Sequence, residues 1–416
     1  MQILFRPRFP DPHTVARAPR WQDFSDAISR DHFDQAVTAY EELVRSWAQI
    51  FGLRNSQLDR AADLEDWSES AVRLVSWAKS GLPVYILDHS ACLDCLPVVA
   101  TWNTHSPLSA NSPAIFSGTP LRFDPIFSRA YPGKSPLATL AWPHEGVLGR
   151  GGSYWRSPAL LAALNRAAIV SSGDADGERG YVASTRSLID RGCRDLMAKI
   201  IFQPKYQAPA QLQFRPGPEA PSDRGIQKAF FQAFDANLMD CEERETCFLI
   251  QERVPMIHEY RICVVGGEPV AGAGTIEWLS PIFRRDTDGA FHTLVEGKRS
   301  DRQVRDMPSL IGRYVSEARR LCASLRAEWG KGAHPFTNCT MDFAINADTQ
   351  EVCLIETDAL DNSGLYALDF AQVAAAILTE VSSVYGYGLA AGPWMAATNS
   401  RMSSAAMVSD ATASRR

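Results

Sequence analysis

The sequence predicts an α/β (α+β) protein of more than one domain, and three observations carry that expectation. An amphipathic stretch, "DWSESAVRLVSWAKSG" (66–81), feeds the apolar run "LPVYILD" (82–88), the helix-then-strand alternation of an α/β domain. Further on, "EYRICVVGGEPVAGAGTIEW" (259–278) reads as two strands reversing at Gly266-Gly267, a dipeptide suited to a tight hairpin turn. Finally, "MDFAI" and "EVCLIET" flank the polar residues Asn346, Ala347, Asp348 and Thr349 and read as a second hairpin.

Taken in order, the elements divide the chain into a helical and α/β region over 1–168, a larger unit over 169–395 and a small, polar, disordered tail over 396–416. Phe33, Val37, Tyr40, Val44, Trp47 and Phe51 recur at helical spacing after caps at Ser25 or Asp31, a stripe most simply assigned to core. The segment 106–136, rich in Pro, Ser and Gly, reads as loop or connector. "DLMAKIIFQ" is strand-like and carries Lys199; the irregular "FRPGPEAPSDRGIQKAF" follows, then the strand "CFLIQERVPM". "SLIGRYVSEARRLCASLRAEWG" places Leu310, Tyr314, Leu321, Leu325 and Trp329 on one helical face and stops at Gly330. The apolar helix "LDFAQVAAAILTEVSSVYG" closes the second unit.

Composition bounds the function. The chain has 416 residues, 45% hydrophobic and 22% charged, with a net charge of −6, which is ordinary for a soluble globular protein and argues against a general binder of nucleic acid or anionic membrane. The first twenty residues lack the apolar core of a secretory signal and no later run has membrane-spanning length, so a cytoplasmic protein is expected. Nine cysteines, an odd number scattered through apolar runs, fit reduced thiols better than a disulfide framework. His89, Cys92 and Cys95 in "DHSACLDC" have metal-like spacing, but no second pair follows to complete a four-ligand zinc site.

The acidic hairpin raises a chemical question. With the turn near Thr349, Asp342 falls opposite Glu356, and Asp358 shares the face of Glu356. Carboxylates that close repel, unless a hard divalent cation, held by carboxylates together with substrate phosphates, reverses the sign. The alternative is a solvated hairpin face whose acids never meet.

The order of these pieces, a lysine strand, a Gly/Ser/Arg loop, a strand ending "QERVP", a strand with Glu and Arg two apart, then a helix and "MDFAI…LIETD…NSGLY", resembles the ATP-grasp superfamily over roughly 170–390. The resemblance implies two α/β subdomains gripping ATP. Lys199, or else Lys205, would reach the nucleotide phosphates. Ser222, Arg224 and Gly225 would lie in the loop over the β- and γ-phosphates. Gln251, or Glu252 if the register slips by one, would meet the exocyclic amine of adenine, with backbone groups near Arg253 and Val254 at the ring edge. Glu259 would hold the ribose, and Arg261 a phosphate or substrate oxygen. Asp342 and Glu356 would bind Mg²⁺, with Asp358 where the family usually has asparagine. Asn362, Ser363 and Gly364 would close on the reacting groups, and Arg284 and Arg285 could grip a carboxylate or acyl phosphate bidentately.

The activity so implied is ATP-dependent ligation of a small carboxylate, activated as an acyl phosphate, to an amine on amino-acid-like or peptide substrates, with Arg261, Lys199, Asn362 and Ser363 nearest the chemistry and without nucleic acid or membrane. Three alternatives stay open: a phosphotransferase on the same scaffold, a nucleotide-binding regulator that no longer turns over, and a hairpin whose acids are purely structural. The oligomeric state is also open, homodimers being common in the family.

Overall fold

The computed structural model describes residues 1–7, 21–23, 29–35, 37–38, 64–88, 96–109, 112, 114–118, 157–172, 180–200, 210–213, 221–238, 247–276, 289–297, 303–330, 336–358, 360 and 363–385. The chain is mixed α/β. Strands β1 (Gln2–Arg6), β2 (Val84–Leu87), β3 (Val98–Trp102) and β4 (Ala114–Gly118) form the first sheet in the order β3-β2-β1-β4. β1 is parallel to β2 and β4, while β3 runs antiparallel to β2. Ile3, Leu4 and Phe5 are all fully buried, as expected of a central strand covered on both faces. Two of these strands differ from the sequence reading. The start of the chain, weighed there only as a secretory signal, is the central strand, and 114–118, assigned to a connector, is an edge strand. Their apolar runs are too short to show a period, and they gain strand conformation by pairing with each other.

Helix α1 (Leu64–Lys79) lies between β1 and β2 in sequence. Its buried positions, Glu69, Ser70, Arg73, Leu74, Ser76 and Trp77, form one helical stripe. Leu74 and Trp77 join Ile3, Phe5 and Ile86 in a core that continues into the C-terminal part of the chain. Trp77 Nε1 donates to Ser117 Oγ at 2.7 Å, and its ring meets Phe370 edge-on at 5.8 Å. Residues 30–35 and 37–38 are helical, with Phe33 buried. Tyr40, Val44, Trp47, Phe51, the His89, Cys92 and Cys95 cluster and the 396–416 tail lie outside the described residues.

A short helix, α2 (Pro158–Ala163), leads into the second sheet: β5 (Ala168–Ser172), β6 (Asp195–Ile200), β7 (Ala210–Gln213) and β8 (Cys247–Glu252), ordered β5-β8-β6-β7 and antiparallel throughout. Helices α3 (Gly180–Asp190) and α4 (Asp223–Leu238) cover one face, where Leu196, Ala198, Phe248 and Ile250 pack on Val182, Leu188, Ile226 and Phe230. Side chains alternate along strands, so Met197, Lys199, Leu249 and Gln251 turn to the opposite face.

The third sheet is ordered β10-β9-β13-β14, from β9 (Met256–Val265), β10 (Glu268–Gly274), β13 (Cys339–Asn346) and β14 (Val352–Asp358), with a separate ribbon of β11 (Leu294–Glu296) and β12 (Val304–Asp306). Gly266 and Gly267 turn β9 into β10 at φ 62° and 75°, the left-handed pair that a tight hairpin demands. Helix α5 (Pro308–Trp329) covers one face, packing Leu310, Tyr314, Leu321 and Leu325 against Tyr260, Phe343 and Leu354. Helix α6 (Phe370–Tyr385) packs with the first sheet, α1 and β10. No described helix is long and apolar enough to cross a membrane.

Candidate active site

The face of the third sheet turned away from α5 carries the acidic hairpin. Asp342 is paired directly with Glu356, and Thr340 with Asp358; the register shifts between Asp342 and Phe343. On its other side Asp342 faces Arg261 of β9. The guanidinium grips both carboxylate oxygens, Nε to Oδ1 at 2.8 Å and Nη2 to Oδ2 at 2.6 Å, with both side chains buried. Burial works to lower the Arg261 pKa, yet the charge and hydrogen bonds of Asp342 win and hold it well above the usual arginine value. Its Nη1 donates to the Gly364 carbonyl at 3.1 Å.

A second cation approaches from the other sheet. Lys199 Nζ lies 3.0 Å from Glu356 Oε2, so β6 and β14 face each other through an ammonium and a carboxylate. The pair is partly exposed and contributes only about 0–1 kcal/mol; its interest is placement. Gln251 shares the Lys199 face and is completely buried, and its Oε1 and Nε2 have no hydrogen-bond partner among the described residues. An unmade bond of this kind costs about 1–3 kcal/mol, so the carboxamide is complementary to a group offering one N–H and one acceptor, such as a purine edge. Glu252, the alternative to Gln251, lies on the other face by alternation.

Several expectations are corrected. Among the described residues no cluster of three or more His, Cys, Asp or Glu side chains converges, so Asp342, Glu356 and Asp358 do not meet as a triad. Arg261 takes both oxygens of Asp342, while Lys199 engages Glu356. The two opposed carboxylates nevertheless fit a hard divalent ion, because a carboxylate in a bidentate pair keeps further lone pairs. Ser222, Arg224 and Gly225 are not in a loop. Ser222 caps α4, its Oγ accepting from the Gly225 N–H at 3.2 Å, and Arg224 and Gly225 lie in the first helical turn. The Arg253 N–H is donated to the Asp195 carbonyl at 2.9 Å, so that amide is already taken; Val254 is half-buried beside it. Glu259 follows His258, whose φ of 57° coincides with a register shift between β9 and β13. Ser363 Oγ is 2.7 Å from Thr340 Oγ1. Lys205, Arg284, Arg285 and Asn362 lie outside the described residues.

Sequence reasoning passed over Glu69, Arg73, Tyr366 and Arg166. Glu69 and Arg73 signalled themselves as an i, i+4 acid–base pair on the same stripe as Leu74 and Trp77. Arg166 stands two residues before β5, with none of its three guanidinium nitrogens partnered among the described residues. Burial lowers its pKa to about 10, against the pull of Cys353 and Glu252. Removing an unpartnered buried cation relieves its desolvation, so Arg166→Met is expected to stabilise the chain by about 1–3 kcal/mol, read as a higher urea midpoint at unchanged m.

No family model matches the chain, and no curated protein matches it. Three solved structures similar to it are D-cycloserine synthetase DcsG (12% identity, TM-score 0.43, covering 92% of this chain and 99% of that one), the D-alanine-D-alanine ligase from Coxiella burnetii (10%, 0.39, 83% and 96%) and the RimK domain protein ATP-grasp from Sphaerobacter thermophilus DSM 20745 (12%, 0.38, 75% and 95%).

Proposed function

We propose that this chain is an ATP-dependent ligase that joins a small carboxylate to an amine, with amino-acid-like or peptide substrates. The observation that carries the reading is the meeting of Lys199 and Glu356 across two sheets beside the Arg261–Asp342 pair. Lys199 and Arg261 are the cations that would neutralise a transferring γ-phosphoryl group, and the orphaned carboxamide of Gln251 supplies a base contact on the same face. The substrate carboxylate attacks the γ-phosphorus, ADP leaves, and an acyl phosphate forms. The amine then attacks the carbonyl carbon, loses a proton and expels phosphate. Asp342 and Glu356 are the residues to hold Mg²⁺, which when bound would spread phosphate charge. Catalysis would come from positioning and electrostatics without a covalent enzyme nucleophile.

The test is ADP release with MgATP and pooled amino acids and small carboxylates, with products followed by mass spectrometry. Glu356→Gln is expected to lower turnover by roughly 100-fold or more, and the wild type to need both an acid and an amine. ADP formation without an amine would point to a phosphotransferase. Tight ATP binding with no turnover in any pool would favour a regulator.

A further inference from the structure

The backbone of 363–366 is gripped by three charged side chains. Arg73 Nη2 donates to the Ser363 carbonyl at 2.7 Å, and Arg261 Nη1 to the Gly364 carbonyl at 3.1 Å. Glu69 Oε1 accepts the N–H of Leu365, and that of Tyr366 at 2.9 Å. Cations thus meet two carbonyls, and one carboxylate oxygen meets two amides. Glu69 and Arg73 are 4% and 6% exposed, so both charges have left water, a cost that only full hydrogen bonding offsets. Burial pushes the Glu69 carboxyl up, opposed by Arg73, the two amides and Arg261.

What the grip achieves is visible at Tyr366. Its φ of 49° is left-handed, a conformation that costs a non-glycine residue roughly 1–3 kcal/mol and persists only when its surroundings impose it. Held there, its ring lies over the Arg261 guanidinium, 5.1 Å from centroid to Cζ. Arg261 in turn orients Asp342. Arg73 is itself anchored over the Phe370 ring at 5.4 Å.

We propose that Glu69 and Arg73 are positioning residues for the reaction centre: they fix the backbone of 363–366 so that Tyr366 and the Gly364 carbonyl hold Arg261, and through it Asp342, in place. The assignment rests on the ligase reading of Arg261 and Asp342. It makes the N-terminal helix α1 part of the working site without touching substrate.

The full-length chain, Glu69→Gln and Glu69→Asp are to be compared by amide hydrogen exchange and by steady-state kinetics. Aspartate keeps the charge but shortens the reach by one methylene, and it reads the same contact should the glutamine variant fail to fold. Both variants are expected to exchange roughly tenfold or more faster at Leu365 and Tyr366, with the amides of β13 unchanged. Their kcat is expected to fall about 10–100-fold while KM for ATP stays within about threefold, since the loss is of geometry and not of binding. Wild-type exchange at 363–366, or faster exchange with kcat untouched, would overturn the proposal. If the wild type itself releases no ADP, the ligase reading fails, and the exchange data alone uphold or overturn the fixing of the loop.

Discussion

Arg261→Leu is expected to lower stability by about 3–5 kcal/mol, because it strands the Asp342 carboxylate in the protein interior. The geometry leaves little room for compensation. Asp342 is 2% exposed and receives both of its short charged hydrogen bonds from this one guanidinium, and the same side chain ties down the Gly364 carbonyl. Urea unfolding at constant m measures the loss, and turnover should vanish with it if the ligase reading is right. A loss under about 1 kcal/mol would mean that Asp342 reaches water once its partner is gone. Exchanging both members for apolar residues should cost far less than Arg261→Leu alone, because no charge is then left buried.

Phe343→Ala is expected to cost about 3–5 kcal/mol through the cavity it leaves. Phe343 is fully buried beside Asp342 and ends a row of rings: Tyr260 stacks on Tyr314 at 5.4 Å, and Tyr314 on Phe343 at 6.3 Å. The row is pinned by polar bonds, Tyr260 Oη to the His292 carbonyl at 2.9 Å and Tyr314 Oη to the His258 carbonyl at 2.5 Å. The rings therefore cannot slide inward to fill the gap. A measured loss below about 2 kcal/mol would show that α5 collapses onto the sheet.

The parts of the molecule legible in the sequence are those with local rules. Gly266-Gly267 announced its turn because few other residues accept two successive positive φ angles, and α5 announced its buried face through period except at its end, where Trp329, expected on that face, is exposed. The opposition of Asp342 and Glu356 followed from a polar turn and strand alternation. What sequence could not show was fixed by distant partners. The strand at 114–118 exists because β1 offers an edge. Ser222, Arg224 and Gly225 were placed in a loop by the resemblance, yet Ser222 caps a helix that starts at Asp223. The convergence expected of Asp358 with the other two acids ignored Arg261 and Lys199, which claim Asp342 from the neighbouring strand and Glu356 from the other sheet. The partners of Glu69 were hidden for a related reason: they stand 296 and 297 residues away, beyond the reach of any spacing rule.

The Lys199–Glu356 contact behaves like a loaded ion exchanger. Each charge serves the other as a counter-ion, so on the ligase reading a polyanion that engaged the ammonium would loosen its hold on Glu356, and a divalent cation that engaged the carboxylate would loosen its hold on Lys199. Two such ligands must then favour one another by equal factors, by the reciprocity of linked equilibria.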